Sequence, residues 1–462
     1  MKLIIIGAVA AGTSAATKAR RNDRSAAITI YESDQDISYS ACGLPYYIGG
    51  ALDDLEVLTP RDPAFFKEKY NIDIKIQHEV VEIHPEQKTI KVKNLSTGAM
   101  FSDTYDQLII ATGAKAFIPD VEGIDMDHVF FLRNVQHAVA IKKFIEIKNP
   151  KKAVIAGSGS IGLEMLENLM LKKIDVTVVE KDDKITANLD PDMAAYLENI
   201  LTEKGITIIK SQAVTKIEPF KVTLEDHRTL EADMVLMATG ILPNTALAAS
   251  IGIELGESKG IIVDQHMKTN LTDISACGDC IETFSAITGK PYYRPLGTTA
   301  NKTGRIAGDV LTGGSLHYQG NLSTGIFKLF DLTIASTGLS EKEALDEDYD
   351  IEIAHSIKPD KPGYFDGDDM VIKAIADRAS QRLLGVQIIG KSGVDKRIDV
   401  FATLLTYKAK VDDLFHLDLA YAPPYSTTKD PVHYIGMLLD NAINHNQKNA
   451  FNLSDDDRFK SV

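Results

Sequence analysis

The sequence predicts an α/β fold in which one β-α-β unit is repeated, with an α+β domain after the two copies. A buried strand, a glycine turn, a helix and a second strand begin at Leu3, and the same pattern recurs from Ala153. Each copy is followed by an apolar strand that ends in Ala-Thr-Gly. After Leu311 the pattern changes to short alternating strands (323–330, 333–338, 370–376 and 383–389) and a helical stretch from about Val394 to Lys410. This pattern predicts an antiparallel sheet with helices.

The glycine spacing in each copy is that of a Rossmann-like dinucleotide-binding unit. The copies read Gly7-Ala-Val-Ala-Ala-Gly12 and Gly157-Ser-Gly-Ser-Ile-Gly162, so Val9 replaces the middle glycine of the first. The first glycine permits a tight turn, the middle position lets a pyrophosphate approach the helix N-terminus, and the last lets helix and strand pack closely. Glu32 and Glu180 end the second strands, where a carboxylate accepts hydrogen bonds from ribose hydroxyls. At Glu180 this favours NADH over NADPH, because a carboxylate repels a 2′-phosphate.

The composition is that of a globular enzyme of a reducing compartment. The chain has 462 residues, of which 65 are acidic and 50 basic, and the net charge of −15 argues against a nucleic-acid partner. Its apolar runs are far shorter than the ~20 residues of a membrane span, and no secretory signal is evident. Three cysteines cannot form a disulfide framework in a chain of this size. We therefore expect a cytoplasmic protein with no membrane partner.

Three further segments complete a specific order of motifs. Ala111-Thr112-Gly113 and Ala-Thr-Gly240 end a second repeated pair of strands, and a later strand runs into Gly278-Asp279. In this order the motifs resemble those of the flavoprotein pyridine nucleotide–disulfide oxidoreductase family. The resemblance implies a glutathione-reductase-like arrangement in which the first unit binds FAD, the second binds NADH (NADPH is possible), and Asp279 contacts the flavin's ribityl chain.

The resemblance also implies a division of the chain and a set of cofactor contacts. The expected parts are an FAD-binding domain (1–115 and 245–322), an NAD(P)H-binding domain (116–244), a dimerisation domain (323–446) and a disordered polar tail (447–462). Glu164 is expected to help align the nicotinamide. The predicted cofactor-binding residues are Gly7, Ala8, Ala10, Gly12, Glu32, Ala111, Thr112, Gly113, Asp279, Gly157, Gly159, Ile161, Gly162, Glu164, Glu180 and Gly240.

A cysteine follows the first unit in the segment Ser38-Tyr-Ser-Ala-Cys42-Gly-Leu-Pro-Tyr-Tyr47. A free cysteine is most often a small buried apolar residue, but in the resembled family this position is the redox site beside the flavin. Many relatives carry a second cysteine five residues later, where this chain has Tyr47. A single cysteine can store oxidising equivalents only as a mixed disulfide, a sulfenic acid or a persulfide. Cys277 and Cys280 are expected to be packing residues, and no metal site is predicted.

Three activities are open to the single-cysteine branch: coenzyme A disulfide reduction, NADH oxidation or peroxide reduction, and persulfide or polysulfide reduction. Oxidases and peroxidases of this kind carry a histidine in the first glycine turn, where this chain has Ala10. The glycine turn and the segment after Cys42 resemble coenzyme A disulfide reductases, which favours the first activity. An electron-transfer reductase with a protein partner, for which Cys42 would be dispensable, is a rival of another class.

The same resemblance implies a substrate channel shared by two subunits of a homodimer. Tyr364 and Tyr425 correspond to tyrosines that reach the partner subunit's cysteine, where a phenol can donate a proton to a leaving thiolate. With Cys42 they are the predicted catalytic residues. Coenzyme A is anionic, so its site needs local positive charge. The predicted substrate-binding residues are Ser14, Lys18, Arg21, Ser38, Asn301 and His433.

Overall fold

The computed structural model describes residues 1–444 and 457–459. The strands in chain order are β1 (Lys2–Ile6), β2 (Ala27–Tyr31), β3 (Asp73–Lys75), β4 (His78–His84), β5 (Thr89–Asn94), β6 (Met100–Thr104), β7 (Gln107–Ile110), β8 (Ala114–Ala116), β9 (Val129–Phe130), β10 (Lys152–Ala156), β11 (Asp175–Val179), β12 (Thr207–Ile209), β13 (Val214–Glu218), β14 (Lys221–Leu224), β15 (Thr229–Glu231), β16 (Met234–Met237), β17 (Ile241–Pro243), β18 (Ile274–Ala276), β19 (Thr283–Phe284), β20 (Pro291–Tyr292), β21 (Gly325–Leu329), β22 (Leu332–Gly338), β23 (Ile351–Pro359), β24 (Asp369–Asp377) and β25 (Leu383–Gly390). The helices are α1 (Ala10–Asn22), α2 (Leu44–Gly49), α3 (Pro63–Tyr70), α4 (Val135–Lys148), α5 (Ser160–Leu171), α6 (Pro191–Glu203), α7 (Ala246–Ala249), α8 (Gly297–Val310), α9 (Glu341–Asp346), α10 (Val394–Thr406), α11 (Val411–Phe415) and α12 (Pro431–Asn444).

The first repeated unit forms a parallel five-stranded sheet in the order β18-β7-β1-β2-β3. Its central strand β1 is buried on both faces, as its unbroken Leu-Ile-Ile-Ile run predicts. Helices α1 and α8 pack against each other on this sheet so closely that a Cβ on Gly304 would lie 2.2 Å from the Ala11 carbonyl oxygen. Because β18 comes from a later part of the chain, the sheet is assembled from two separate segments.

The second unit repeats the topology of the first. Its parallel sheet has the order β12-β11-β10-β16-β9, so β16 lies beside β10 as β7 lies beside β1. Each unit also carries a small antiparallel sheet, β4-β5-β6 in the first and β13-β14-β15 in the second. The chain enters the second unit through β8 and leaves it through β17, and these two strands pair in an antiparallel ribbon.

The last part of the chain forms an antiparallel five-stranded sheet, β21-β22-β25-β24-β23, covered by α10 and α12. The predicted α/β class with a carboxyl-terminal α+β domain is therefore confirmed. The edge strand β23 was not predicted from the sequence. The helical stretch predicted from Val394 to Lys410 ends at Thr406, because Lys408 takes a left-handed conformation with φ of 57° before α11 begins.

The predicted disordered tail lies mostly outside the described residues. Its described part, 457–459, forms a short 3₁₀ turn that contacts α6. The ring of Phe459 stacks on Tyr196 at a centroid distance of 4.8 Å, and Phe459 is buried. Within 1–444 and 457–459, no helix is long and apolar enough to cross a membrane.

Candidate active site

The two glycine turns leave room for a dinucleotide at the N-termini of α1 and α5. Gly7 and Gly157 have nearly the same left-handed backbone, with φ of 107° and 108°. A Cβ on Gly12 would lie 1.9 Å from the Gly7 carbonyl oxygen, so helix α1 can approach its strand only with glycine there. At Gly159 no heavy atom lies within 4 Å of the Cβ position, which keeps the start of α5 open to a phosphate. These turns fit the diphosphates of FAD and NAD(P)H.

Val9 takes the place of the middle glycine as the N-cap of α1. Its φ of −94° and the φ of −67° at the corresponding Gly159 are both negative, but the ψ angles of the two residues, −124° and 177°, differ. The first turn therefore leads into its helix as the second does, but follows a different backbone path at this position.

Glu32 and Glu180 hold equivalent positions in the two units. The Glu32 Oε2 accepts a hydrogen bond from the Ala8 amide at 2.7 Å, and the Glu180 Oε2 accepts one from the Ser158 amide at 2.7 Å. Each carboxylate thus holds its glycine turn in place. Because a carboxylate has about four acceptor positions, further bonds to ribose hydroxyls remain available. Burial raises the pKa of Glu32.

Cys42 lies in a 3₁₀ turn, Ala41–Gly43, that leads directly into α2. Its thiol is exposed and free. The charges that act on it come from three distant parts of the chain: Glu164 on α5, Arg133 before α4, and Asp279 after β18. The structure therefore brings together the predicted redox cysteine, the predicted nicotinamide-aligning glutamate and the predicted ribityl-binding aspartate.

The protein groups around Cys42 disfavour its thiolate. Although Cys42 as a residue is exposed, partial burial raises the pKa of its thiol. The carboxylates of Glu164 and Asp279 raise this pKa further, and Arg133 opposes them. The charged side chains around Cys42 therefore do not by themselves stabilise its thiolate.

Helix α2 is fixed against α5 by one close contact. A Cβ on Gly49 would lie 1.9 Å from the Asn168 Oδ1, so only glycine permits this approach. Asn168 is buried and donates from its Nδ2 to the Glu164 carbonyl oxygen at 2.7 Å. The Tyr46 hydroxyl, on α2, is hydrogen-bonded to the Glu164 carboxyl group. Helices α2 and α5 are therefore packed closely against each other beside Cys42.

Glu164 titrates in the physiological range. Burial raises its pKa to about 7, with the hydrogen bond to Tyr46 opposing and Glu167 adding to the rise. A protonated Glu164 removes one negative charge from the neighbourhood of Cys42, so the pKa of the thiol depends on the state of this carboxyl group.

Glu164→Gln should make Cys42 react faster with iodoacetamide in the reduced, FAD-loaded enzyme. Removing the carboxylate lowers the pKa of the thiol, and each pKa unit gives up to ~10-fold more thiolate below that pKa. The difference from wild type should be largest above pH 7, where Glu164 is ionised, and should vanish near pH 5.5. The control is Glu225→Gln, an exposed carboxylate of the second unit. Equal rates for the wild type and Glu164→Gln at pH 8 would contradict the coupling.

Arg133 is a site residue that the sequence did not reveal. Its Nη2 pairs with the Asp279 Oδ2 at 3.0 Å, and its Nε donates to the Ala114 carbonyl oxygen at 2.8 Å. The ion pair joins the end of β18 to the segment between β9 and α4. Arg133 stands in no motif, so only the fold identifies it.

The Ala-Thr-Gly segments lie where the chain passes between the two units. Thr112 donates from its Oγ1 to the Asn244 carbonyl oxygen at 2.6 Å, and Gly113 and Gly240 have positive φ of 66° and 105°. A Cβ on Gly7 would lie 2.2 Å from the Ala111 carbonyl oxygen, so Ala111 borders the first glycine turn. Ala8 is buried, Ala10 is half-buried at the start of α1, and Ile161 is exposed in the first turn of α5.

Two of the predicted substrate-binding residues lie side by side. The Asn301 Nδ2 on α8 donates to the Ser14 Oγ on α1 at 3.0 Å. Ser38 has a left-handed φ of 49°, and its amide donates to the Ala8 carbonyl oxygen at 3.0 Å, so it borders the first glycine turn. Arg21 is exposed at the end of α1.

Lys18 is held in an ion pair within the chain. Its Nζ lies 2.9 Å from the Asp309 Oδ1, and both side chains are mostly covered. Burial raises the pKa of Asp309, but the hydrogen bonds from Lys18 and Asn22 outweigh it and bring that pKa down to about 2. The positive charge predicted for the substrate site is therefore partly neutralised at Lys18, while Arg21 on α1 and Arg24 just after it are exposed.

Tyr364 and Tyr425 are exposed, at 74% and 72% of their full accessibility. Neither hydroxyl has a hydrogen-bond partner within residues 1–444 and 457–459. His433 differs, because its Nδ1 accepts from the Asp430 amide at 3.2 Å and its Nε2 lies 3.0 Å from the Leu417 carbonyl oxygen. Both of its ring nitrogens thus have backbone partners within the chain.

Cys277 and Cys280 are fully buried and free. The Cys280 Sγ lies 3.3 Å from the Cys277 carbonyl oxygen, and burial raises the pKa of both thiols. In the part of the chain that the structure describes, no group of histidine, cysteine and acidic side chains could hold a metal ion.

Comparison with known proteins places this architecture in a family. Residues 1–301 match the pyridine nucleotide-disulphide oxidoreductase family, and residues 324–431 match its dimerisation domain. A coenzyme A disulfide reductase of Staphylococcus haemolyticus is 34% identical over 94% of this chain and 98% of its own. An NADH oxidase of Methanocaldococcus jannaschii is also 34% identical, over 94% and 97%. The structure of an NAD-dependent persulfide reductase from A. fulgidus is 39% identical, with a TM-score of 0.93 over 96% of this chain and 83% of that one.

The chain belongs to the pyridine nucleotide-disulphide oxidoreductase family. It is a flavoprotein oxidoreductase that uses FAD and NAD(P)H, as the paired glycine turns predict. The three relatives carry three different activities at similar identity, so the substrate has to be argued from the site.

Proposed function

We propose that this enzyme reduces a small-molecule disulfide, coenzyme A disulfide, through a mixed disulfide on Cys42. The observation that supports this most is the exposed, solitary thiol of Cys42 among Glu164, Arg133 and Asp279. Cys277 and Cys280 are fully buried, and Tyr47 occupies the position of a second redox cysteine with the Lys142 Nζ 3.8 Å from its ring centroid. The partner sulfur must therefore come from the substrate.

Each catalytic cycle uses two electrons from NADH to reduce one disulfide. FAD held by the first glycine turn and Glu32 would supply two electrons from NADH, and cleavage of the Cys42–S–S–CoA bond by these electrons yields the Cys42 thiolate and one coenzyme A thiolate. The Cys42 thiolate then attacks one sulfur of coenzyme A disulfide, re-forms the mixed disulfide and releases a second coenzyme A thiolate. Each turnover consumes one NADH, one proton and one disulfide, and it produces NAD⁺ and two thiols.

The chain's own residues orient the cofactors and set the pKa of the Cys42 thiol in this cycle. Glu32 and Glu180 hold the two glycine turns and accept ribose hydroxyls, and Asp279 with Arg133 borders the flavin side of Cys42. We assign FAD to 1–115 and 245–322, NAD(P)H to 116–244, and dimerisation to 323–446. The protein raises the pKa of Cys42, so in this proposal the attacking thiolate is formed by reductive cleavage of the mixed disulfide.

The dimer completes the site in this proposal. Tyr364 and Tyr425 are exposed on loops of the dimerisation domain, and we assign them to the Cys42 of the partner subunit, where they donate protons to departing thiolates. The approach of the substrate to Cys42 is lined by Ser14, Ser38, Asn301 and Arg21. The local positive charge that a phosphorylated substrate needs, in a chain of net charge −15, comes from Arg21 and Arg24. Three free cysteines fit the reducing cytoplasm.

Mass spectrometry of the intact, non-reduced protein tests the substrate. We expect an adduct with the mass of coenzyme A that is lost on thiol treatment and is absent from Cys42→Ser. NADH consumption should depend on added coenzyme A disulfide and exceed oxygen uptake by a wide margin. Oxygen uptake at the same rate with NADH alone would identify an oxidase, for which the alanine at position 10 gives no support. Faster turnover with polysulfide than with coenzyme A disulfide would identify a persulfide reductase.

A further inference from the structure

The two loops that carry Tyr364 and Tyr425 share one buried anchor. Tyr364 lies in the loop between β23 and β24, and Tyr425 lies in the segment before α12. Arg397, on α10, is only 1% exposed, and its guanidinium reaches both segments. None of its contacts belongs to the cysteine site or the glycine turns.

Arg397 binds the Tyr425 segment through Asp430 and Ser426. Its Nε lies 3.1 Å from the Asp430 Oδ1 and its Nη2 2.9 Å from the Asp430 Oδ2, a bidentate pair between two buried groups. Its Nη2 also lies 3.3 Å from the Ser426 Oγ, which itself donates to the Asp430 Oδ2 at 2.7 Å. Ser426 directly follows Tyr425, so the anchor ends one residue from the phenol.

Arg397 binds the Tyr364 loop through Asp360. Its Nη2 donates to the Asp360 carbonyl oxygen at 2.9 Å. The Asp360 carboxylate closes the loop by accepting from the Asp368 amide at 2.9 Å and from the Ser392 hydroxyl. Gly393 makes room for this arrangement, because a Cβ there would lie 2.2 Å from the Arg397 Nη1.

We propose that Arg397 is a positioning residue that fixes the spacing of Tyr364 and Tyr425, so that both phenols reach the partner subunit's mixed disulfide together. This inference rests on the proposed function of the two tyrosines. Their own side chains have no hydroxyl partner in the described chain and are exposed, so their positions are set by the loop backbones that Arg397 ties together. The fork of the guanidinium matters here, because a lysine cannot make a bidentate pair and reach a second loop at the same time.

Arg397→Lys should lower disulfide turnover by about 10- to 100-fold, the cost of misplacing a catalytic group by about 1 Å. Reduction of the flavin by NADH should be unchanged, because Arg397 and the two tyrosines act only in the later cleavage of the disulfide. Arg378→Lys changes an exposed arginine that directly follows β24 in the same domain; it is the matched control and should leave both rates unchanged. A purely structural role would lower flavin reduction and disulfide turnover together.

A double-mutant cycle gives the sharper test. In a Tyr364→Phe/Tyr425→Phe background, Arg397→Lys should cause no further loss of disulfide turnover. An additive loss, or full activity of Arg397→Lys in the native background, would overturn the inference while leaving the role of the tyrosines intact. Full turnover in the Tyr364→Phe/Tyr425→Phe enzyme would instead overturn the proposed role of the tyrosines and the inference with it.

A milder variant keeps the test available if Arg397→Lys fails to fold. Ser426→Ala removes the contacts of the hydroxyl with Arg397 and Asp430 and leaves the bidentate pair of Arg397 and Asp430 intact. It should show a smaller loss of the same selective kind, again absent from the tyrosine-less background. A Ser426→Ala enzyme with unaltered disulfide turnover would contradict the anchoring role.

Discussion

Cys42→Ser should lose disulfide turnover by about 10³-fold or more, because a hydroxyl cannot take part in thiol–disulfide exchange. Reduction of the bound flavin by NADH should continue at the wild-type rate, since Cys42 lies after that step in the proposed cycle. Stopped-flow absorbance of the flavin measures the first half of the reaction, and release of free thiol measures the second. The variant therefore separates the two halves within one protein.

Two outcomes decide the interpretation of that experiment. Retained disulfide turnover in Cys42→Ser would show that electrons leave the flavin without passing through this sulfur, as in a reductase with a protein partner. Loss of flavin reduction would show that the substitution damaged the nucleotide sites. Cys277→Ala is the matched control, because Cys277 is fully buried and its thiol should take no part in exchange.

Lys373→Met should cause the largest loss of stability, about 3–5 kcal/mol. Lys373 is 1% exposed, and its Nζ lies 2.9 Å from the Asp192 Oδ1, 3.1 Å from the Asp190 Oδ2 and 2.8 Å from the Glu341 Oε2. His355 adds a contact to the Asp192 Oδ2 at 2.8 Å. Removing the ammonium leaves three carboxylates facing one another where α6 meets the sheet β21-β22-β25-β24-β23. The buried carboxylate of Asp190 then keeps only neutral hydrogen-bond partners.

The loss should depend on pH in a defined direction. Burial raises the pKa of Asp192, but His355 and Lys373 outweigh it and lower that pKa to about 2. The stabilisation by this carboxylate is therefore complete above pH 4 and is lost as the pH falls towards 2. In Lys373→Met the carboxylates take up protons more readily, so the deficit relative to wild type should be smaller at pH 5 than at pH 8.

Thermal melts followed by flavin fluorescence measure this difference. Lys342→Met is the matched control, because Lys342 is 86% exposed in its pair with Asp346. That variant should stay within about 0.5 kcal/mol of wild type. Equal melting temperatures for Lys373→Met and Lys342→Met would show that the buried cluster contributes nothing to stability.

The fold was predictable because its strongest constraints are local. Gly7 and Gly157 each need a positive φ, and Gly12 and Gly162 each face a carbonyl oxygen at about 2 Å from their Cβ position, so the sequence must show glycine there. The buried strands β1 and β10 also leave unbroken apolar runs. By contrast, most residues of β23 are only partly buried, so its sequence gives no clear pattern of apolar and polar residues.

The site was predictable only where it coincides with a motif. Glu164 lies in a glycine motif, and Cys42 and Asp279 lie in segments that resemble those of the family. Arg133 belongs to no such segment, and it reaches the site from the turn before α4. Tyr46 lies in the segment of Cys42, but its contact with Glu164 depends on the packing of α2 against α5. Lys18 shows the converse, because its partner Asp309 is far away in sequence and helical spacing alone suggests a free cation.

The antiparallel ribbon of β8 and β17 holds the two ends of the second nucleotide-binding unit together. Ala116 pairs directly with Ile241, and the Phe117 amide donates to the Gly240 carbonyl oxygen at 2.9 Å, so the points of entry and exit are neighbours. A segment whose two ends meet can be inserted into, or deleted from, a host without stretching the host's backbone. The duplicated strand order then has a simple description. One copy of the unit interrupts the other at a loop, and β18 completes the sheet of the interrupted copy after the second unit ends.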